Sequence, residues 1–220
     1  MPKSLFENPG SISERVIRAR PARPQPEGVP GRHVEGENAT SRDAGAREPD
    51  RGSQTDSKEP DTRALADQVL TVLKGRGQTL AVAESLTGGL LCAALTGIPG
   101  ASAVLRGGVV AYATELKALL LGVPRPLLDR LGAVHPDVAV AMAEGVRHRL
   151  GAEFSVATTG VAGPEAQDGQ AVGTVHVAVA AEGDSVVRTL ALPGDRSEVR
   201  CRTVMVSLGL LLGRLKEELD

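Results

Sequence analysis

Aromatic residues are almost missing from this 220-residue chain: Phe6, Tyr112 and Phe154 are the only three, and there is no Trp. Binding of single-stranded nucleic acid on stacked aromatic platforms is therefore excluded, as is an RNA-binding sheet face studded with aromatics. A membrane-interface aromatic belt is absent. No apolar run approaches the roughly 18–20 residues that a transmembrane helix needs. An excess of one charge is missing too. Lys and Arg total 25 against 27 Asp and Glu, a formal net charge of −2, which leaves no electrostatic footprint for DNA or RNA. Cysteine is scarce. Cys92 and Cys201 form no CxxC pair, and free thiols without a disulfide framework point to a reducing cytoplasm. Each lies in a helix-like run, where a small buried hydrophobe is the plain reading. The opening MPKSLFENPG has no hydrophobic stretch, so no secretory signal peptide is expected.

What apolarity there is, 41% of the chain, comes from Ala, Val, Leu and Ile, and it is unevenly spread. Residues 1–62 hold eight of the fourteen prolines, and Glu35 to Ala64 contain no Val, Ile, Leu, Met or aromatic residue. Such a segment cannot bury enough apolar surface to offset its ordering entropy. It reads as a disordered tail, within which Ser11–Arg20 offers a transient helix or a docking motif. From residue 63 to 220 the texture is that of one globular domain, long enough to bury roughly 70% of its unfolded surface.

Helix-like and strand-like segments alternate through that domain. Helices are expected at Arg63–Gly75, Thr87–Gly97, Thr114–Leu121, Pro124–Leu131 and Pro136–Leu150, the last opened by its proline. Strands are expected at Thr79–Ala83, Ala103–Tyr112, Phe154–Thr158, Gly173–Ala180 and Ser185–Leu192. The final two would form a hairpin across Glu182-Gly183-Asp184. Asp195 followed by Glu198 has capping-box spacing, and Val204, Leu208, Leu211 and Leu215 form one apolar stripe on the helix that follows. The fold class is α/β, a three-layer α/β/α domain with a mixed, mostly parallel sheet.

Three glycine-rich junctions carry the candidate chemistry. The first, Ala83-Glu84-Ser85-Leu86-Thr87-Gly88-Gly89, passes from a buried strand to a helix. Ligands gather at the carboxyl ends of such strands, and free amides at the helix start suit an anion or an oxyanion. Ser85 is the candidate nucleophile; the plainer alternative is that Ser85 or Thr87 only caps the helix. The second, Gly107-Gly108-Val109-Val110-Ala111-Tyr112-Ala113-Thr114-Glu115-Leu116-Lys117, places Tyr112 and Lys117 five residues apart. On one straight helix they would not share a face. With Tyr112 at a strand end and Lys117 on the next helix they converge, as a serine–lysine or serine–tyrosine–lysine site requires. A solvated Lys117 and a half-buried Tyr112 are the alternatives. The third, Thr158-Thr159-Gly160-Val161-Ala162-Gly163-Pro164, opens into a polar loop through Asp168 and suits either a ligand wrap or an ordinary turn.

Other chemistries fare poorly. The four histidines, His33, His135, His148 and His176, are scattered, and no paired Cys/His spacing suggests zinc or another metal. There is no phosphate loop, no GxGxxG and no GxSxG. His135-Pro136 is most simply a helix entry, and Arg196, Arg200 and Arg202 near the last helix start could meet a phosphate, with a solvated charged face as the plainer reading.

Taken together, AESLTGG, GGVVAYATELK with LLGV, and TTGVAGP followed by VGTVHVAV closely resemble the CinA C-terminal domain family, the competence-damage-inducible-protein domain; LTGIPGASAV and LPGDR match its pattern too. The resemblance spans about residues 65–218. Enzymatic members of that family are nicotinamide-nucleotide amidohydrolases. The resemblance therefore implies hydrolysis of nicotinamide mononucleotide to nicotinate mononucleotide and ammonia in pyridine nucleotide recycling, with no metal and no organic cofactor. It implies Ser85 as nucleophile, with Lys117 and Tyr112 moving its proton. Substrate would meet the backbone around Thr87, Gly88 and Gly89, with Gly108, Thr159, Gly160 and Gly163 also in the binding set. The pyridine ring would have only Tyr112 or Phe154 as aromatic neighbours. Partners are the small-molecule substrate, not nucleic acid or membrane, and a homo-oligomer is left open.

The chain departs from the family pattern at four places. Leu86 stands where cysteine is common, Thr114 where asparagine is common, and His135 where a serine often precedes the proline. Glu165-Ala166-Gln167-Asp168-Gly169 replaces a run of glycines, giving a more anionic loop. A non-catalytic nucleotide-binding or regulatory module of the same fold is the competing reading.

Overall fold

Residue size alternates along the central strands, and this separates the two faces of the sheet. In β2 (Leu80–Glu84), Leu80 and Val82 belong to one core while Ala81 and Ala83 belong to another. In β4 (Phe154–Gly160), Phe154 and Val156 oppose Ala157. In β5 (Thr174–Ala181), Val175, Val177 and Val179 oppose Ala178 and Ala180. The larger side chains meet α1 (Thr62–Arg76), α2 (Leu90–Thr96) and α6 (Arg196–Glu217). The alanine face meets α5 (Pro136–Leu150), flanked by α3 (Thr114–Leu121) and α4 (Arg125–Leu131). Small residues let these helices come close. A Cβ on Gly145 of α5 would overlap the carbonyl of Leu121 at the end of α3. The result is the α/β/α sandwich implied by the alternation of elements.

This computed structural model describes residues 61–217 together with the strand backbone of Ser13–Ile17. The sheet is completed by β1 (Ser13–Ile17), β3 (Leu105–Val110) and β6 (Asp184–Ala191), in the order β1-β6-β5-β4-β2-β3. It is mixed, but less parallel than expected. β2 runs parallel to β3 and β4, whereas β4–β5, β5–β6 and β6–β1 are antiparallel. The β5–β6 pairing is the expected hairpin, since a tight turn can only join antiparallel strands; the other two antiparallel pairings come from β4 pairing with β5 and from the added edge strand β1. Within the expected tail, Ser13–Ile17 is an extended edge strand on β6 rather than a helix; it supplies a ladder partner to an edge that would otherwise be open. The rest of the expected tail lies outside the described residues. Among the described residues no helix is long and apolar enough to cross a membrane.

Two expected boundaries move. The helix expected from Thr87 starts at Leu90, because Gly88 (φ 58°) and Gly89 (φ 98°) carry the chain through a left-handed turn first. The strand expected from Ala103 starts at Leu105, after a single 3₁₀ turn at Ala101–Ala103. The last helix opens as its spacing predicts: Asp195 Oδ1 accepts from the amides of Ser197 and Glu198, and Glu198 Oε2 accepts from the Asp195 amide.

The topology places the site. From β2 the chain passes through α2, on one face, to β3; it then returns through α3, α4 and α5, on the other face, to β4 on the far side of β2. The carboxyl end of β2 is thus a topological switch point, where the outgoing connections diverge and leave a crevice.

Candidate active site at the carboxyl ends of three strands

Three strand ends meet at a cavity of about 310 Å³. β2 runs directly into Ser85, β3 leads through Ala111 and Tyr112 into α3, and β4 ends at Thr159 and Gly160. All three junctions contribute to the lining, through Ser85 and Leu86, Tyr112 to Thr114 with Lys117, and Thr159 to Gly163. Ala133, Val134, Glu165, Gln167 and Arg196 complete it.

Lys117 sits on the first turns of α3 with its side chain aimed back under the sheet end, and it is only 1% exposed. Its Nζ donates to Ser85 Oγ at 3.0 Å and to the Ala111 carbonyl at 3.0 Å. Burial lowers its pKa from 10.5 to about 8, against the opposing pull of the Asp168 and Glu115 carboxylates. Desolvation disfavours the ammonium form. The neutral amine, unlike the ammonium, has a lone pair and accepts a proton from the serine hydroxyl. Ser85 itself is held by its amide, which donates to the Thr158 carbonyl at 3.0 Å.

Arg196 enters from the start of α6. Its Nη1 donates to the Gly163 carbonyl at 2.6 Å and its Nη2 to the Tyr112 hydroxyl at 2.8 Å. The end of β4 and the loop that follows it are both pinned to Ala133. Thr159 Oγ1 donates to the Ala133 carbonyl at 2.7 Å, and Asp168 Oδ2 accepts from the Ala133 amide at 2.9 Å.

Residues 62–215 match the CinA C-terminal domain. The chain belongs to the CinA C-terminal domain family. It is 53% identical over 148 residues to a CinA-like protein of Frankia casuarinae, a match covering 67% of this chain and 34% of that protein. A CinA-like protein of Parasynechococcus marenigrum is 49% identical over 156 residues, covering 69% of this chain and 37% of the relative. The chain thus spans about a third of the length of the curated relatives it matches. Among solved structures, a CinA superfamily protein from Klebsiella pneumoniae is similar with a TM-score of 0.70 and 32% identity, over 72% of this chain and 99% of that one. A competence/damage-inducible protein from Agrobacterium tumefaciens matches with a TM-score of 0.68 and 36% identity, over 74% and 99%.

In this CinA-family domain the residues singled out in the sequence divide into two groups. Ser85, Lys117, Tyr112, Thr159, Gly160 and Gly163 all line the cavity. Tyr112 does so without a hydrogen bond to the other two polar groups of its expected triad. Its ring is 56% exposed and its hydroxyl is engaged by Arg196, not by Ser85 or Lys117.

Thr87, Gly88, Gly89 and Gly108 lie outside the lining. Thr87 is buried, its hydroxyl 2.8 Å from Thr158 Oγ1. The amides that open α2 already have an anion. Glu84, fully buried, accepts from the amides of Gly89 (2.9 Å), Leu91 (3.1 Å) and Cys92 (2.8 Å). Gly108 is a packing residue, because a Cβ there would overlap Cys92 Sγ. Phe154, the other aromatic, is 2% exposed at the start of β4, the end of the strand away from the cavity.

Two arginines of the expected solvated face instead have partners within the fold. Arg196 is on the cavity wall, and Arg200 donates from Nε to the Leu86 carbonyl (3.0 Å) and from Nη2 to the Thr87 carbonyl (2.9 Å). The sequence signals for Arg196 were the LPGDR segment and the cluster of arginines at the last helix start. His135 is a helix entry as expected, its Nδ1 accepting from the Asp137 amide at 3.2 Å.

Proposed function

We propose that this CinA-family domain is a serine–lysine amidohydrolase that converts nicotinamide mononucleotide to nicotinate mononucleotide and ammonia. The observation that carries the reading is the buried contact between Lys117 Nζ and Ser85 Oγ. A serine hydroxyl is a weak nucleophile until a nearby base takes its proton, and a desolvated lysine is one of the few side chains able to do so. In this scheme Lys117 takes the proton as Ser85 Oγ bonds to the carboxamide carbon. The same proton then passes to the leaving nitrogen, and ammonia departs as the C–N bond breaks. Water, deprotonated by Lys117, hydrolyses the acyl–serine ester; Lys117 returns that proton to Ser85, and the carboxylic acid released loses its own proton to solvent as it becomes the carboxylate.

Among the described residues the Leu86 amide has no protein acceptor, and Leu86 lines the cavity. It is the candidate donor for the developing oxyanion. Arg196, at the cavity wall, is our assignment for the substrate phosphate, with Tyr112 as the one aromatic neighbour of the pyridine ring. The scheme requires no metal or organic cofactor, and a reducing cytoplasm fits the two free cysteines, Cys92 and Cys201.

Ammonia release from nicotinamide mononucleotide tests this reading, with Ser85→Ala as the control. Folded wild-type protein that gives no ammonia would sink it. A second reading, a binding module of the same fold, draws on Glu165 in the cavity lining, whose carboxylate opposes a phosphorylated ligand. Ligand binding without turnover is the outcome that favours it.

A further inference from the structure

Glu84 immediately precedes Ser85, and its carboxylate is fully buried among backbone amides rather than beside a cation. Burial without compensation is costly for such a group, yet here both oxygens are used. Oε2 takes the amides of Gly89 and Leu91, and Oε1 takes that of Cys92. The Cys92 thiol lies against the same carboxylate, and burial first, then the Glu84 charge and hydrogen bond, push its pKa up to about 12.

The backbone of Glu84 has a second connection. Its carbonyl accepts from the Ala111 amide at 2.8 Å, and the Ala111 carbonyl is one of the two acceptors of Lys117 Nζ. One residue thus joins the serine turn, the start of α2 and the strand end that receives the lysine. The turn's peptide planes are set on both sides. Gly88 N–H donates to the Ser85 carbonyl at 3.1 Å, and Arg200 Nε donates to the Leu86 carbonyl. In a trans peptide the N–H points opposite to the C=O, so these bonds fix the directions of the Leu86 and Thr87 amides. The carboxylate of Glu84 closes the far end of the same turn at Gly89, whose φ of 98° costs any other residue strain.

We propose that Glu84 is a positioning residue, an internal anion that holds the turn from Ser85 to Gly89 in register with Lys117. The proposal rests on the reading of Ser85 as the nucleophile. The amides of Gly89, Leu91 and Cys92 at the start of α2 are thereby committed within the fold.

The test compares wild type, Glu84→Gln and Glu84→Asp at a temperature below the unfolding of each. One readout is the rate of Ser85 modification by a fluorophosphonate, followed by mass spectrometry with peptide mapping; the other is ammonia release from nicotinamide mononucleotide. Glutamine offers one acceptor oxygen and turns an NH₂ toward an amide donor. The expected result is at least a ~10-fold fall in both the modification rate and kcat, with KM within about threefold, as expected for loss of preorganised transition-state geometry. A folded Glu84→Gln variant with wild-type modification rate and kcat, and only a lower Tm, overturns the proposal. If that variant does not fold, Glu84→Asp decides. It keeps both acceptor oxygens on a shorter stem, so a slower modification rate supports the proposal and a wild-type rate overturns it. Wild-type protein that is modified at Ser85 but releases no ammonia removes the substrate reading alone, and the modification rates still decide the role of Glu84. Wild-type protein left unmodified at Ser85 overturns both.

Discussion

Lys117 Nζ lies 3.0 Å from Ser85 Oγ, although 32 residues separate them along the chain. The contact is buried and the lysine pKa is lowered to about 8. The base form is the unprotonated amine, so kcat/KM is expected to rise with pH, to reach half its maximum near pH 8 and to level off roughly one unit higher. Ser85→Ala and Lys117→Met should each cost at least ~10³-fold in kcat, as removal of one member of a catalytic unit does. Lys117→Arg should not rescue, because a guanidinium stays protonated. An ammonia assay across pH 6–9.5 checks these points; a flat profile would remove Lys117 as the base.

The Tyr112 hydroxyl receives its hydrogen bond from Arg196, not from the serine–lysine pair. Tyr112→Phe should therefore lower kcat by less than about fivefold, below the 10²-fold or more typical of a lost proton-transfer group. Arg196→Gln should raise KM for nicotinamide mononucleotide by roughly 10-fold or more, as loss of a charge-assisted contact to phosphate does. It should barely alter binding of the nucleoside that lacks the phosphate. Measuring KM for both compounds separates the two roles, and a Tyr112→Phe variant that is dead would restore the tyrosine to proton transfer.

Gly108 and Cys92 share one space between β3 and α2. Gly108→Ala is expected to destabilise by about 1–3 kcal/mol through overpacking, with KM unchanged in the folded fraction. Cys92→Ala in the same chain should return much of that stability, a coupling that only contacting residues show. Urea unfolding of the two single variants and the double variant measures it. Strict additivity would contradict the shared-space account.

His176 is 4% exposed, its Nδ1 is 2.9 Å from Thr189 Oγ1, and its Nε2 is buried without a hydrogen bond among the described residues. Burial, with His135 nearby, lowers its pKa from 6.5 to about 4. Between those two values the unfolded chain binds a proton that the folded chain does not. The stability contribution is thus complete above pH 6.5 and is lost as pH falls toward 4, by at most about 2–3 kcal/mol near pH 4.5. His176→Gln should flatten this part of the curve. Thermal melts from pH 4.5 to 7 would show it, and an unchanged slope would assign the acid sensitivity to other groups.

The local rules of the chain were legible because they act over a few residues. The capping box at Asp195 and Glu198, the proline entry at Pro136 and the stripe from Val204 to Leu215 appear where spacing places them. Ser85 and Lys117 were legible as candidates through glycine-rich junctions and the family pattern. Less legible was the use of each polar group. Glu84 looks like one more charge beside a serine, yet it fills the anion position that the amides near Gly88 and Gly89 seemed to offer a ligand. Arg196 and Arg200 look like a solvated helix start, because nothing local says that α6 begins against the serine turn.

Period-2 alternation, with large residues on one side of β2, β4 and β5 and alanines on the other, already commits the chain to a layered sheet with helices on both faces. That pattern is carried by neighbouring residues and survives in the linear order. Which strand lies beside which is not carried there. The placement of β2 between β3 and β4 opens the crevice, brings Lys117 to Ser85 and sets Arg196 against Tyr112. These are contacts between segments 32 and 84 residues apart, formed only when the whole core closes.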